Sequence, residues 1–129
     1  MQSERLPVQW HGRLAVVTMP EEIDMANSGP IQQGLLSALR QQPAALVVDM
    51  TPTTFCDSAG VRAIMLTQRQ AVAANCQLRL VISSPGVRRV FSIIGADQLA
   101  EVHSVLASAL HPAPEAGQNG RGTGNGSGR

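Results

Sequence analysis

The stretch Thr54-Phe55-Cys56-Asp57-Ser58-Ala59-Gly60-Val61 puts an acid, a hydroxyl and a glycine between an apolar run and an amphipathic one. Residues of these types at such a junction serve three chemistries. Capping is the plainest, because an aspartate carboxylate accepts from the open amides of a helix's first turn. The second is anion accommodation. That turn presents unpaired N–H groups and the positive end of the helix dipole, so a serine there can carry a covalent phosphate without unfolding the chain. Capping and phosphate acceptance are compatible. The third, acyl transfer by Ser58, needs a G-x-S-x-G elbow. Cys56 stands where the first glycine belongs, and no histidine has an evident claim to be the base, so hydrolase chemistry is disfavoured.

Other reactive residues have weaker claims. Asp49 ends an apolar run, as phosphoacceptor aspartates of receivers do, and Glu21-Glu22 imitates the acidic pair such sites carry. A receiver also needs a lysine, and the chain has none. A phosphatase reading of Asp49-Met50-Thr51 lacks its second aspartate. Asp49 therefore reads as a strand-end acid that bonds the loop amides of Thr51 to Thr54. Glu22-Ile23-Asp24 reads as solvated loop unless the fold brings it to Ser58. Cys56 reads as a buried thiol, and Arg88-Arg89 as a solvated face. His11, His103 and His111 are scattered, and no CxxC or His/Cys group has zinc spacing. No metal and no cofactor is expected. A nucleotide sensor would want a P-loop or G-x-G-x-x-G, and neither occurs.

The elements that must position these residues follow from periodicity. Arg13–Met19 reads as a strand, paired with Val8-Gln9-Trp10 across a His11-Gly12 turn. A helix starts near Asn27, with Asn27 or Ser28 as cap and Pro30 in its first turn. Ile31, Leu35, Leu36 and Leu39 recur at helical spacing, and Pro43 ends the segment. Ala44–Met50 is continuously apolar, the pattern of a strand covered on both faces. A helix over Ser58–Asn75 carries the apolar stripe Val61, Ile64, Met65 and Val72, with Arg62, Leu66 and Arg69 on another face. Gln77–Ile82 is the next strand. Pro85–Ile94 is a helix closed by Gly95. A short strand over 98–102 and a last helix over 104–110 complete the pattern. The alternation predicts an α/β fold: a mixed sheet of four to five strands packed against about four helices.

Composition narrows the class further. The chain has 129 residues, enough for one modest core, and aromatics make up only 2%, so that core must be aliphatic. The net charge of +1 is too small for bulk nucleic-acid attraction. No apolar run reaches the roughly 18 residues of a membrane span. The N-terminus MQSERLPVQW lacks an apolar signal core, so a cytoplasmic protein with two reduced thiols is expected. Residues 112–129 are Pro, Gly and polar without periodicity and read as a disordered tail, leaving 1–111 as the folded domain.

The segment Leu46–Val61 resembles the signature of the STAS domain, particularly of bacterial anti-sigma factor antagonists. It shows a buried strand ending in aspartate, a short loop, then D-S-(small)-G and a helix. Upstream, Glu22-Ile23-Asp24-Met25-Ala26 is similar to the family's G-E-(apolar)-D segment, with Glu21 at the usual glycine. Asp57 follows Asp24 by 33 residues. Gln77–Val81 and Val87–Gly95 resemble the following strand and helix, and the match covers roughly residues 8–110.

The resemblance implies a switch protein, not an enzyme. Its unphosphorylated form would bind an anti-sigma factor that is also a serine kinase, freeing a sigma factor. Phosphorylation of Ser58 would release the partner, and a PP2C-type phosphatase would reset it. Asp24, Met25, Asp57, Ala59, Gly60, Arg62 and Leu66 would lie at the partner surface. Ala59 replaces the second hydroxyl residue common in the family, leaving Ser58 alone in the motif. The alternative is a STAS scaffold or transporter-associated module that binds a partner without a phosphoswitch.

Overall fold

The computed structural model describes residues 6–113. The tail expected from residue 112 therefore lies, from residue 114 onward, outside the described residues. In chain order the elements are β1 (Val8–His11), β2 (Leu14–Thr18), β3 (Glu22–Ile23), α1 (Ser28–Leu39), β4 (Ala45–Met50), β5 (Phe55–Cys56), α2 (Ser58–Ala73), β6 (Gln77–Ile82), α3 (Pro85–Ile94) and β7 (Glu101–His103). Single 3-10 turns occupy Ala96–Gln98 and Leu106–Ala109.

The main sheet has the order β1-β2-β4-β6-β7. Only the β1–β2 hairpin is antiparallel; the other three pairings are parallel. His11 faces Leu14 across the hairpin end, and Gly12 takes the left-handed φ of 61° that a tight two-residue loop requires. Strand β4 is central and buried at all six residues, as its unbroken apolar run predicts. Strand alternation sends Leu46, Val48 and Met50 to the inner face with Ile31, Leu35, Ile64 and Phe91 from the helices. Val47 joins Val16, Val81 and Ala109 on the outer face.

Helix boundaries follow their sequence signals. Ser84 Oγ accepts from the Val87 amide at the start of α3, and Gly95 closes that helix with φ 87°. Asn75 sits just past α2 with φ 57°, the left-handed stop that asparagine tolerates.

Three expectations are corrected. There are three α-helices among the described residues, not about four. Residues 104–110 form only the 3-10 turn, because a period of three puts Leu106 and Ala109 over the outer face. The carbonyls of Ala109 and His111 are meanwhile taken by Arg79. Second, the buried stripe of α2 runs through Val61, Ile64, Thr67 and Ala71, while Val72 is 65% exposed. Thr67 escapes an apolar reading, but it is fully buried with its hydroxyl donating to the Ala63 carbonyl at 3.0 Å. Third, the expected last strand begins later, at Glu101, after the Ala96–Gln98 turn.

Candidate functional site

Two residues of β3 pair in parallel with two of β5, Glu22 with Phe55 and Ile23 with Cys56. Pairs this short leave no periodic trace, so sequence reasoning read both as loop. Their effect is local and decisive. The Asp57 amide donates to the Ile23 carbonyl at 3.1 Å, and Thr54 N donates to Glu21 O at 2.8 Å. The Glu22–Asp24 segment is thereby tied to the start of α2, and Asp24 follows Ile23 as Asp57 follows Cys56.

The Asp24–Met25 loop is then shaped by its own polar groups. Asp24 Oδ1 accepts from the Ala26 amide at 2.9 Å. Asn27 occupies the cap position of α1, but its side chain turns back, accepting from Asp24 N at 2.9 Å and donating to Glu22 O at 2.8 Å. Met25 is left 79% exposed at the tip.

At α2 the carboxylate of Asp57 accepts from the Gly60 amide at 3.1 Å, the capping role expected of it. Asp57→Ala should cost about 1 kcal/mol of stability, read as a lower urea midpoint with unchanged slope. Ser58 is the first helical residue and is exposed. Among the described residues no hydrogen bond engages its hydroxyl. The amides of Ser58 and Ala59 have no intrahelical acceptor at this end. Ser58, Arg62, Leu66 and Arg69 recur at i, i+4, i+8 and i+11 and so share one face; Leu66 is half-buried and both arginines are exposed.

Gly60 is the hinge of this arrangement. A Cβ there would lie 2.6 Å from Ile23 Cγ2 and 2.7 Å from Cys56 Sγ. Only glycine lets α2 approach the β3–β5 pair so closely. Gly60→Ala should therefore cost about 1–2 kcal/mol, overpacking outweighing the helix preference of alanine. A thermal melt checks this, and an unchanged or raised Tm would contradict the close approach.

Cys56 is buried at this junction, with its thiol pushed up to about 12 by burial and then by the Asp57 charge. Burial also raises the Cys76 thiol. Both should resist a disulfide reagent at pH 8 in the native chain and react after unfolding. Rapid labelling of the folded protein would show the junction to be open.

The remaining candidates fall elsewhere. Asp49 is 7% exposed and accepts from Thr51 N at 3.0 Å and from the Thr51 hydroxyl, as a strand-end acid bonding its loop. Arg88 and Arg89 are exposed on α3. Phe55, 51% exposed beside Asp57, lies in the short loop of the motif and is not among the residues expected at the partner surface. The histidines are not all scattered. His103 and His111 converge on Glu101, a grouping hidden by the seven residues between the two rings. A groove of about 900 Å³ lined by His11, Leu14, Pro43, Asn75 and Leu110 lies at the opposite end of the parallel strands from Ser58.

Comparison with known proteins agrees with this geometry. The STAS domain model matches residues 5–109. The anti-sigma-F factor antagonist RsfB of Mycobacterium tuberculosis is 24% identical over 100 residues, 78% of this chain and 81% of that one. The structure of an anti-sigma factor antagonist from Mycobacterium paratuberculosis superposes with a TM-score of 0.70 at 24% identity, covering 81% of this chain and 89% of that one. The Bacillus cell fate determinant SpoIIAA in its phosphorylated form superposes at 0.63 with 20% identity, covering 81% and 96%. No helix among the described residues is long and apolar enough to cross a membrane. With a family model spanning most of its length and the D-S-x-G turn at the head of α2, the chain belongs to the STAS domain family.

Proposed function

We propose that this protein is a cytoplasmic anti-sigma factor antagonist that acts by binding, not as an enzyme, with Ser58 as its phosphoswitch. The observation that carries the reading is the placement of Ser58. It is exposed at the first position of α2, its hydroxyl is unengaged, and the Asp24–Met25 loop is tied to the same helix start by the Asp57 amide. The partner is an anti-sigma factor with serine kinase activity. Met25, Phe55 and Leu66 supply apolar contact. Asp24, Asp57 and Arg62 supply charge, and Ala59 keeps the helix start low enough for close approach; Gly60, expected at this surface, is buried and instead seats α2 on the β3–β5 pair.

In the unphosphorylated state this surface docks the anti-sigma factor and displaces its sigma factor. The kinase then transfers the γ-phosphoryl of ATP to Ser58 Oγ, with loss of the hydroxyl proton and formation of ADP. The helix end tolerates the new charge with about 0.3–1 kcal/mol of favourable dipole interaction, so the domain keeps its shape while the interface does not. A PP2C-type phosphatase hydrolyses the ester and restores binding. The likeness to RsfB, and to SpoIIAA with its phosphorylated form, supports the reading.

The test is displacement. Titrated into a preformed complex of an anti-sigma factor and its sigma factor, the unphosphorylated protein should release the sigma factor stoichiometrically. Failure with every anti-sigma factor kinase of the source genome would favour a scaffold or transporter-associated module instead.

A further inference from the structure

The outer face of the sheet ends in a cluster that the Ser58 surface does not use. Glu101 and His103 stand two apart on β7 and so point to one side; the chain after the 3-10 turn brings His111 back to them. Glu101 Oε1 lies 2.8 Å from His103 Nε2 and 3.2 Å from His111 Nε2. The three donor atoms all lie within 4.8 Å of one another.

The opposite ring nitrogens each have an oxygen partner. His103 Nδ1 is 3.0 Å from Ser108 Oγ, and that hydroxyl already donates to the Val105 carbonyl at 2.9 Å. With that donation made, the hydroxyl accepts from a protonated His103 Nδ1. His111 Nδ1 is 3.3 Å from the Pro112 carbonyl oxygen, also purely an acceptor. A neutral imidazole has one N–H. With Nδ1 protonated and both rings neutral, each Nε2 lone pair meets one carboxylate oxygen, and a metal ion is what would sit between the three acceptors. With Nε2 protonated, each ring instead donates to Glu101.

We propose that Glu101, His103 and His111 bind a divalent transition metal of the zinc class, which clasps the end of the outer-face segment to edge strand β7. Two imidazoles and a carboxylate are a zinc donor set. Bonds of about 2.0–2.2 Å place tetrahedral donors roughly 3.4 Å apart, so the two Glu101 contacts of 2.8 and 3.2 Å open slightly on binding, while the two imidazole nitrogens, within 4.8 Å of each other, adjust to the same spacing. Ser108 and the Pro112 carbonyl stand at Nδ1 of the two rings, where metal-bound histidines usually make an orienting contact. Side-chain exposures of 16%, 36% and 47% for His103, Glu101 and His111 leave a path for the ion and room for a water as fourth ligand. Arg79 Nε, 3.3 Å from the same Glu101 oxygen, opposes a cation. Its hydrogen bonds go to Gln77 and to the carbonyls of Ala109 and His111, so the Glu101 carboxylate would be shared between the guanidinium charge and the ion.

The full chain, free of any affinity tag, is titrated with Zn²⁺ at pH 7.5 by calorimetry and melted with and without the ion. One equivalent should bind, and a hundredfold excess over Kd should raise Tm by roughly 10 °C. His103→Ala and His111→Gln should each weaken binding at least tenfold, while His11→Ala leaves it unchanged. Co²⁺ should give the visible bands of a low-coordinate nitrogen–oxygen site. Absence of a zinc-dependent Tm shift would overturn the proposal, and so would equal binding by the wild type and both variants. Imidazolium resonances for both rings at pH 7.5 that zinc does not displace would also overturn it, assigning the cluster to protons.

Discussion

Alanine at position 79 is expected to lower the unfolding free energy by about 3 kcal/mol. Arg79 is 0% exposed on the outer face of β6, an unusual place for a guanidinium, and its donors are spoken for. One terminal nitrogen donates to the carbonyls of Ala109, at 2.9 Å, and His111. Nε and the other terminal nitrogen donate to Gln77 Oε1 at 3.1 and 2.8 Å. The carboxylate of Glu101 completes the charge pairing at 3.3 Å. Removing the side chain leaves two backbone carbonyls without a donor under an apolar lid, each costing about 1–3 kcal/mol unless water reaches them. It also leaves a cavity beside Val47 and Val81. Relief comes from release of the segment after Val105, which caps the loss. Urea unfolding should show the lowered midpoint, and protease should cut the variant between residues 104 and 111 faster than the wild type. Arg79→Met should recover the packing but not the bonds, and so should fall between the two. A loss under about 1 kcal/mol for Arg79→Ala would mean that the segment is not held by this residue.

A negative charge at position 58 is expected to have the largest effect on binding. Phosphoserine brings a charge of about −1.5 to −2 near neutral pH. Against one acidic partner group about 6 Å away, that charge costs roughly 1–6 kcal/mol for an effective dielectric between 80 and 20. Since about 1.4 kcal/mol is tenfold, affinity falls from several-fold to about 10⁴-fold. Glutamate carries a single charge and no phosphate bulk, so Ser58→Glu should weaken partner binding by about 3- to 100-fold. Its melting temperature should stay close to wild type, because the helix dipole favours an acid there. Ser58→Ala should bind at near wild-type affinity and resist release by ATP. Comparable affinities for the alanine and glutamate variants would separate Ser58 from the interface.

How much of this was legible in the sequence differs by element, and physics explains the difference. Strand β4 announced itself because a strand covered on both faces needs an unbroken apolar run. Helix α3 ended where Gly95 signalled it, and in the structure Ser84 caps its start, both local chemistry. Asp57 and Ser58 were legible for the same reason. What escaped depended on partners distant in sequence. The β3–β5 pair has two residues a side, and only their mutual bonds make them strands. Residues 104–110 have a helical pattern, but the outer face wants Leu106 and Ala109 on one side, a period of three, and Arg79 anchors the carbonyls of Ala109 and His111 at the segment's end. Arg79 itself looks like the solvated member of an alternating strand until that segment covers it. Val72 was assigned to the core by type, yet α2 turns Ala71 inward instead. The Glu101–His103–His111 cluster follows the same rule, since a folded-back segment assembles it.

The central claim is that Ser58 is the acceptor of a regulatory phosphoryl group, and site-mapped mass spectrometry tests it most directly. The protein and its Ser58→Ala variant are incubated with the partner kinase and ATP, then digested and fragmented. The account predicts one acid-stable phosphoryl group, on Ser58, in the wild type and none in the variant, with both chains still captured by the partner without ATP. An acid-labile acyl phosphate on Asp49, or a phosphoryl group that persists in the variant, would contradict it.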